Sequence, residues 1–591
     1  MSARIHPKIR IPMRSINLAL LAGALVAVVT APALAATNVS VNVEGVKDPL
    51  KVNVLATLSI VHYKNFGTHP AVTIRRLYSQ APAEIRQALQ PFGYFSPHID
   101  SRLAHDGDNW TATYRIDPGK PVILRHAKIE VTGPGADDPI FKSLEQNTPL
   151  QIGKRLDQQA YSQTKQQLQE AAVEHGYLDA EFKRHELLVD PKALWADVIL
   201  VYETGPRYRF GTVTIKQDIL APAFVRRYVH IKPGEPYDAR ALANLQSALS
   251  SSGYFSSVVV STEKDKTHNL DVPILISTTP AKRNRYTLGL GYGTDTGPRL
   301  SFGWENRRVN SKGHRFRFDT RLSRIESQAI ARYIVPQANP VTDRLVYSGT
   351  FNQRDYGGAV SHLLGAGISR ITQTNGWQQS VSLDANRYIS DIGSQSTSSV
   401  LLIPGIRYSR IVANPPTYPR SGYSVNAEFS GAAKSLASDT SFLRADISAH
   451  FIFPLGPGRV LLHGELGAIA ASDFSALPVA LRFYAGGDSS VRGYGYQSLG
   501  PTNADGLVVG GRYLKIASVE YDFPIVGNWG LAGFFDAGSA SNSFSSRWNE
   551  GIGIGVRYRT PIGAVRVDFA HPIAHPQLGF YRIHISIGLA L

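Results

Sequence analysis

From about Arg283 to Leu591 the chain alternates apolar and polar side chains, segment after segment, and a period of two is the signature of strands. In the last segment Tyr581, Ile583, Ile585, Ile587, Leu589 and Leu591 share one parity, and Arg582, His584, Ser586, Gly588 and Ala590 take the other. A helix would scatter those apolar groups around its axis, whereas a strand sends them all to one face. A sheet with lipid on one side and a wet lumen on the other needs that division. An ordinary sandwich strand matches any single segment, but not such a long succession of them. The alternation therefore predicts a transmembrane barrel.

The segments number about sixteen, an even count of the kind single-chain bacterial barrels favour. They include Tyr286–Tyr292, Trp377–Ala385, Val400–Tyr408 and Tyr581–Leu591. Inward parity collects the charge: Arg315, Arg317, Asp319 and Arg321 in one strand, Arg557 and Arg559 in another, Arg566 and Asp568 in a third. The opposite arrangement would cost about 2 to 4 kcal/mol for a charge at the bilayer midplane.

Ahead of the barrel, residues 1–35 read as a signal peptide. Arg4, Lys8, Arg10 and Arg14 precede an apolar run from Ile16 to Val29, and Ala33-Leu34-Ala35 supplies small residues for cleavage. No later apolar run is long enough to cross a bilayer as a helix, so any span must be strand. The chain has no cysteine, which excludes disulfides and thiol chemistry. Its net charge of +16 is scattered, not gathered into a stripe, and fits solvated faces and anionic lipid head groups better than nucleic acid.

Between these parts one unit recurs three times, marked by Gly93-Tyr94, Gly176-Tyr177 and Gly253-Tyr254 at intervals of about 80 residues. Each glycine stands where a left-handed residue ends a helix. Asp157 and Asp238 are placed to cap helices, the second carrying Leu242, Leu245 and Leu249 on one face. Strands open the units at Val41, Val43 and Val46, at Ile129 and Val131, and at Val213 and Ile215. Each reads as a βααββ module of the α+β class, with boundaries at 38–121, 122–207 and 208–280, and the barrel follows at 284–591. Such a module has an open sheet edge on which an unfolded peptide can add a strand. The plainer reading is a spacer, and the two are compatible.

Few motifs suggest chemistry. Gly289-Leu290-Gly291-Tyr292-Gly293 and Gly551-Ile552-Gly553-Ile554-Gly555 resemble nucleotide-binding turns but lie inside strands, where inward glycines let another segment come close. His571 and His575, in a Pro-flanked turn, lack a carboxylate partner for a metal. No nucleophile elbow or acid pair is apparent, so neither catalysis, cofactor nor metal is expected.

One connection, between strands ending near Ala468 and starting near Tyr513, is far longer than usual and contains Val491-Arg492-Gly493-Tyr494. Glu520 and Asp536, in the two strands that follow, both take inward parity and offer carboxylates to a guanidinium folded into the lumen. Gly493 would let the loop approach the wall. An external loop with a solvated Arg492 is the alternative; the two inward acids favour the internal tether.

Val491 to Tyr494, the Glu520 strand and Phe534-Phe535-Asp536-Ala537-Gly538 resemble motifs of the BamA/TamA insertase superfamily, and the three preceding repeats look most like those of its TamA branch. The resemblance implies three periplasmic POTRA domains and a sixteen-stranded barrel in the outer membrane of a Gram-negative bacterium. It implies a lateral seam between the first and last strands, here involving Tyr286, Leu288 and Leu290 on one side and Ile585, Ile587, Gly588, Leu589 and Leu591 on the other. It further implies unfolded outer-membrane and autotransporter clients, a TamB-like inner-membrane partner, and contact with the lipid bilayer but not with nucleic acid. The terminal Leu591 departs from the aromatic residue common at barrel ends. A two-partner secretion pore shares the arginine loop, but such pores resemble this chain less, having two POTRA domains and a plug helix. A diffusion porin has no use for the repeats or the tether.

Overall fold

A computed structural model describes residues 38–588 apart from 64–69, 108, 416–417, 562 and 574–580. The expected signal peptide and seam residues Leu589 and Leu591 lie outside the described residues. The chain divides into two compact units, one holding the first two repeats and the other the third repeat with the barrel.

In the first repeat β1 (Asn38–Glu44), α1 (Leu50–Thr57), α2 (Ser59–Tyr63), α3 (Ala71–Leu89), β2 (His98–Asp106) and β3 (Asn109–Asp117) follow in order. The sheet runs β1-β3-β2, with β1 parallel and β2 antiparallel to the central strand. Every second residue of β3 (Trp110, Ala112, Tyr114, Ile116) is buried against Ile74, Leu77, Ala81 and Ile85 of α3, so period two meets a helical stripe in one core. This repeat has one helix more than expected. Leu58, extended at ψ 112° and wholly buried, separates α1 from α2.

The second repeat comprises β4 (Ile123–Thr132), α4 (Pro139–Gln146), α5 (Gln158–Glu174), β5 (Glu181–Asp190) and β6 (Trp195–Glu203), and repeats the sheet order as β4-β6-β5. Asp157 accepts from the amide of Gln159 as its sequence position predicts.

The third comprises β7 (Arg209–Lys216), α6 (Pro222–Val225), α7 (Ala239–Ser251), β8 (Phe255–Thr262) and β9 (Asp271–Pro280), in the order β7-β9-β8. Asp238 caps α7, whose Leu242, Leu245 and Leu249 are buried. Gly93, Gly176 and Gly253 adopt φ of 80°, 87° and 77°, the left-handed ends the repeats predict.

The barrel is a sheet of sixteen strands in sequence order. They are β10 (Asn284–Gly293), β11 (Gly297–Asn306), β12 (Arg315–Ser323), β13 (Glu326–Pro336), β14 (Asp343–Asp355), β15 (Ala359–Thr374), β16 (Trp377–Ile392) and β17 (Gln395–Asn414), then β18 (Ser421–Ala432), β19 (Phe442–Leu455), β20 (Gly458–Ala471), β21 (Tyr513–Val526), β22 (Trp529–Ser541), β23 (Asn549–Thr560), β24 (Gly563–Pro572) and β25 (Arg582–Gly588). All neighbours pair antiparallel. Several strands outrun the sequence expectation. β17 reaches 20 residues because pairing continues above the lipid, where apolar alternation is no longer required. The wall is much lower on the other side, where β10 to β12 have 9 or 10 residues, barely a bilayer's height. Among the described residues no helix is long and apolar enough to cross a membrane.

The third repeat is fastened to the turn 307–314 between β11 and β12. Tyr254 Oη donates to the Gly313 carbonyl at 2.5 Å, the Ala221 amide donates to the Ser311 carbonyl at 2.8 Å, and the Arg315 guanidinium lies 4.6 Å over the Tyr254 ring. Gly313, at φ 75°, leaves room for Phe224: a Cβ there would stand 2.3 Å from its ring, which is itself wedged edge-on against Tyr228 and Tyr254. Gly313→Ala is therefore expected to undock the third repeat, at a cost of about 1 to 3 kcal/mol. Limited proteolysis of the linker at 281–283 should accelerate. Tyr254→Phe, which loses one hydrogen bond, should cost only about 1 kcal/mol.

Candidate functional site: the seam and the loop across the lumen

Residues 472–512 leave β20, enter the barrel and return to β21. The first part of this loop is packed, not solvated: Leu477, Phe483 and Ala485 share a buried cluster with Leu401, Ile403, Phe442, Ile469, Leu514 and Ile516 of the wall. Its tip crosses to the wall of β21 to β25.

There Arg492, 8 % exposed, meets three carboxylates. Its Nε and Nη2 fork onto Asp536 at 2.7 and 2.9 Å, its own amide adds a third bond to Asp536 at 3.0 Å, and Nη1 reaches Glu520 at 2.7 Å and Asp568 at 3.1 Å. Both predicted partners are thus brought to Arg492. Asp568, whose inward parity is visible in the sequence, is a third that sequence reasoning missed. Arg557 closes the network, donating to Glu520 at 2.8 Å and to Asp568 at 2.5 Å. The guanidinium of Arg492 also lies 3.4 Å from the Phe534 ring centre. Two cations among three carboxylates, all buried, are held by donors that leave few lone pairs unmet, the condition under which a buried ionic cluster is tolerated.

The rest of the motif fits the wall. Val491 is buried beside Gly538, Tyr494 Oη donates to the Glu550 carbonyl at 3.3 Å, and Gly493, at φ 97°, lies against the backbone of His571 and Pro572. On the opposite wall Tyr496 Oη accepts from Arg354 Nη2 of β14 at 2.7 Å. His571 belongs to β24 and not to a turn, because pairing with β23 continues through Pro572. His575 lies outside the described residues.

The glycine run of β23 shows why it exists. Gly551, Gly553 and Gly555 face inward, and a Cβ on them would stand 2.0 Å from the Arg492 carbonyl oxygen, 2.3 Å from the Phe534 ring and 1.9 Å from the Asp568 carboxylate. The strand lacks side chains where the loop and its ion pairs lie.

Among the described residues the two ends of the sheet are not paired strand to strand, and no ladder joins β10 to β25. Thr294, just past β10, is joined to Ile585 by its amide donating to the Ile585 carbonyl at 3.1 Å, by its Oγ1 donating to the same carbonyl at 3.5 Å, and by the Ile585 amide donating to Thr294 Oγ1 at 2.5 Å. Below it the edge of β10 carries Tyr286, Leu288 and Leu290, the last two 71 and 83 % exposed. On the other side Ile585, Ile587 and Gly588 belong to β25, with Ile587 exposed. Tyr581 precedes the strand and is exposed.

A sixteen-stranded barrel with an unstitched seam and an arginine loop locked in its lumen, preceded by β-α-β repeats, defines a class of membrane protein. An Omp85 superfamily domain matches residues 281–590, a POTRA domain of the type TamA domain 1 matches 40–118, and a POTRA surface antigen variable number repeat matches 208–278. The chain belongs to the Omp85 superfamily and is an outer-membrane β-barrel with POTRA repeats.

The outer membrane protein assembly factor BamA of Nitratidesulfovibrio vulgaris is 25% identical over 380 residues, covering 59% of this chain and 46% of that protein. The chain thus aligns with about half the length of that relative. BamA of Neisseria meningitidis serogroup B is 21% identical over 583 residues, 86% of this chain and 72% of that one. Among solved structures, BamA from Haemophilus ducreyi lacking POTRA domains 1-3 matches with a TM-score of 0.66 at 16% identity, over 79% of this chain and 99% of that one, a likeness of fold.

Proposed function

We propose that this protein assembles other β-barrel proteins into the outer membrane of a Gram-negative bacterium, admitting client strands at the join of β10 and β25. The observation that carries the reading is the edge of β10, which among the described residues forms no ladder with β25. Unpaired backbone in hydrocarbon costs several kcal/mol per group, so an exposed apolar strand edge at bilayer height is a template for an incoming strand. The low wall from β10 to β12 supports it, since lipid beside a short wall is thinned and more easily entered. Similarity to BamA assembly factors agrees.

The finer reading is a TamA-type role, with autotransporter clients, POTRA repeats in the periplasm and a TamB-like inner-membrane protein as partner. The match of the first repeat to TamA domain 1 favours it. No step requires a nucleotide, a cofactor or catalysis: burial of the client's apolar face and completion of its hydrogen bonds supply the driving force.

The absence of native cysteine makes the test direct. With Thr294→Cys and Ile585→Cys, oxidation is expected to abolish client insertion into vesicles, and reductant to restore it. Equal insertion by the oxidised and reduced forms would remove the seam from the mechanism.

A further inference from the structure

Asp488 lies between the two ends of the sheet. Its amide donates to Asp295 Oδ2 at 2.6 Å, in the turn that follows β10, and its own Oδ1 accepts from Nδ1 of His584 on β25. The amide of Gly493 donates to the other nitrogen of that imidazole, Nε2, at 3.1 Å. His584 is 4 % exposed, so both nitrogens are held by the loop inside the wall. This pattern fixes the tautomer: Nε2 accepts and therefore holds a lone pair, which leaves the proton on Nδ1, aimed at Asp488. Gly487, at φ 104°, completes the fit, since a Cβ there would stand 2.4 Å from Asp295 Oδ2. One short stretch of loop thus holds both sheet ends, while among the described residues the backbone joins them through Thr294, just past β10, and Ile585.

We propose that Asp488 and His584 are positioning residues of a clasp carried by the loop, which holds the far end of β10 to β25, so that the seam opens when the Asp488–Gly493 segment withdraws.

The ligand atoms of Asp295, Asp488 and His584 all lie within 4.8 Å of one another, a spacing that also suits a cation. The hydrogen bonds decide between the two readings, because one imidazole nitrogen accepts and the other donates and neither is left for a metal. Asp295 acts as a counterweight. Burial, with the Asp488 carboxylate alongside, pushes it up to about 6, against the hydrogen bond from the Asp488 amide and the pull of Arg582 on β25. Its ionised form is the disfavoured one, so at pH 7.5 the charge on Asp295 works against closure.

The clasp deepens the reading of the seam as the entry site, and a measurement of seam width tests it without using insertion. Spin labels on Tyr292→Cys and Ile587→Cys, in the full chain in phospholipid nanodiscs at pH 7.5, report the separation of the two strands. Asp488→Ala and His584→Phe are expected to raise the wide-seam population roughly tenfold, the factor that the loss of one charge-assisted hydrogen bond brings. His584→Gln, whose amide offers both a donor and an acceptor, should retain the narrow distribution. Asp295→Asn keeps an acceptor for the Asp488 amide and removes the charge, so it should narrow the seam below the parent's width. A general loss of packing does not produce that opposite shift.

Parental distributions in Asp488→Ala and His584→Phe, with barrels folded by heat-shifted gel migration, would overturn the clasp. Should those two fail to fold, a seam left unchanged or widened in Asp295→Asn would overturn it. Widened seams with unaltered client insertion would leave the clasp standing and count against the entry site instead.

Discussion

Arg492→Ala is expected to be the most damaging single substitution in the barrel, releasing the loop from the lumen and lowering stability by about 3 to 5 kcal/mol, the usual cost of removing one partner from a buried ionic cluster. The reason is the arithmetic of charge. Glu520, Asp536 and Asp568 would remain buried with one cation fewer, and Asp536 would lose both guanidinium bonds it takes from Arg492, keeping only those from the backbone amide at that position and from Ser518 Oγ at 2.6 Å. Thermal unfolding in detergent and single-channel conductance are the measurements. The melting temperature should fall, and steady conductance should rise as the loop leaves the lumen. Arg492→Lys should fall between the two, because an ammonium keeps the charge but cannot fork onto Asp536. Asp536→Asn should act in the same direction as Arg492→Ala. An unchanged melting temperature with a closed pore in Arg492→Ala would contradict this account.

Gly551→Ala is expected to come close to that effect without changing any charge. Its new methyl would stand 2.0 Å from the carbonyl oxygen of Arg492, a backbone atom that cannot swing aside while the guanidinium is held by Asp536. Overpacking of this kind costs about 1 to 3 kcal/mol and more where the neighbour is fixed. Gly555→Ala meets a carboxylate tip at 1.9 Å, which can shift at the expense of its bond to Arg557, so its effect should be smaller. Gly533→Ala on β22, with nothing within 4 Å of the new atom, should leave both melting and conductance unaltered. Because Gly551 and Arg492 act through the same contact, the double variant should be little worse than Arg492→Ala alone. Full additivity in melting would show that Gly551 works through something other than the loop.

The parts of the site that were legible in the residues are those governed by local period. Glu520 and Asp536 were placed in the lumen by parity alone, and the length of the connection before them made Arg492 their natural partner. Parity also placed Arg557 and Asp568 inward, yet it did not bring them to Arg492. That requires knowing which residues of β21 to β24 stand at the same height, and height depends on the stagger between strands as the sheet closes. His584 was likewise placed inward, but its partners come from a turn and a loop whose paths no alternation describes. The strand limits drifted for a related reason: hydropathy marks the lipid-covered part of a strand, whereas backbone pairing in β16 and β17 continues past it.

The amino-acid sequence by itself determined that the carboxy-terminal half is strand with one face for lipid, that three modules precede it, and that an arginine loop and two inward acids belong together. Each of these is set by side chains within a few residues of one another, where periodicity, capping and glycine stereochemistry act. Only the tertiary structure decided that, among the described residues, Thr294 just past β10 is hydrogen-bonded to Ile585 of β25, and that Asp488 spans the gap between Asp295 and His584. Those contacts join residues 96, 193 and 291 positions apart, and their geometry is fixed by how a closed sheet brings its two ends together, which no local pattern encodes.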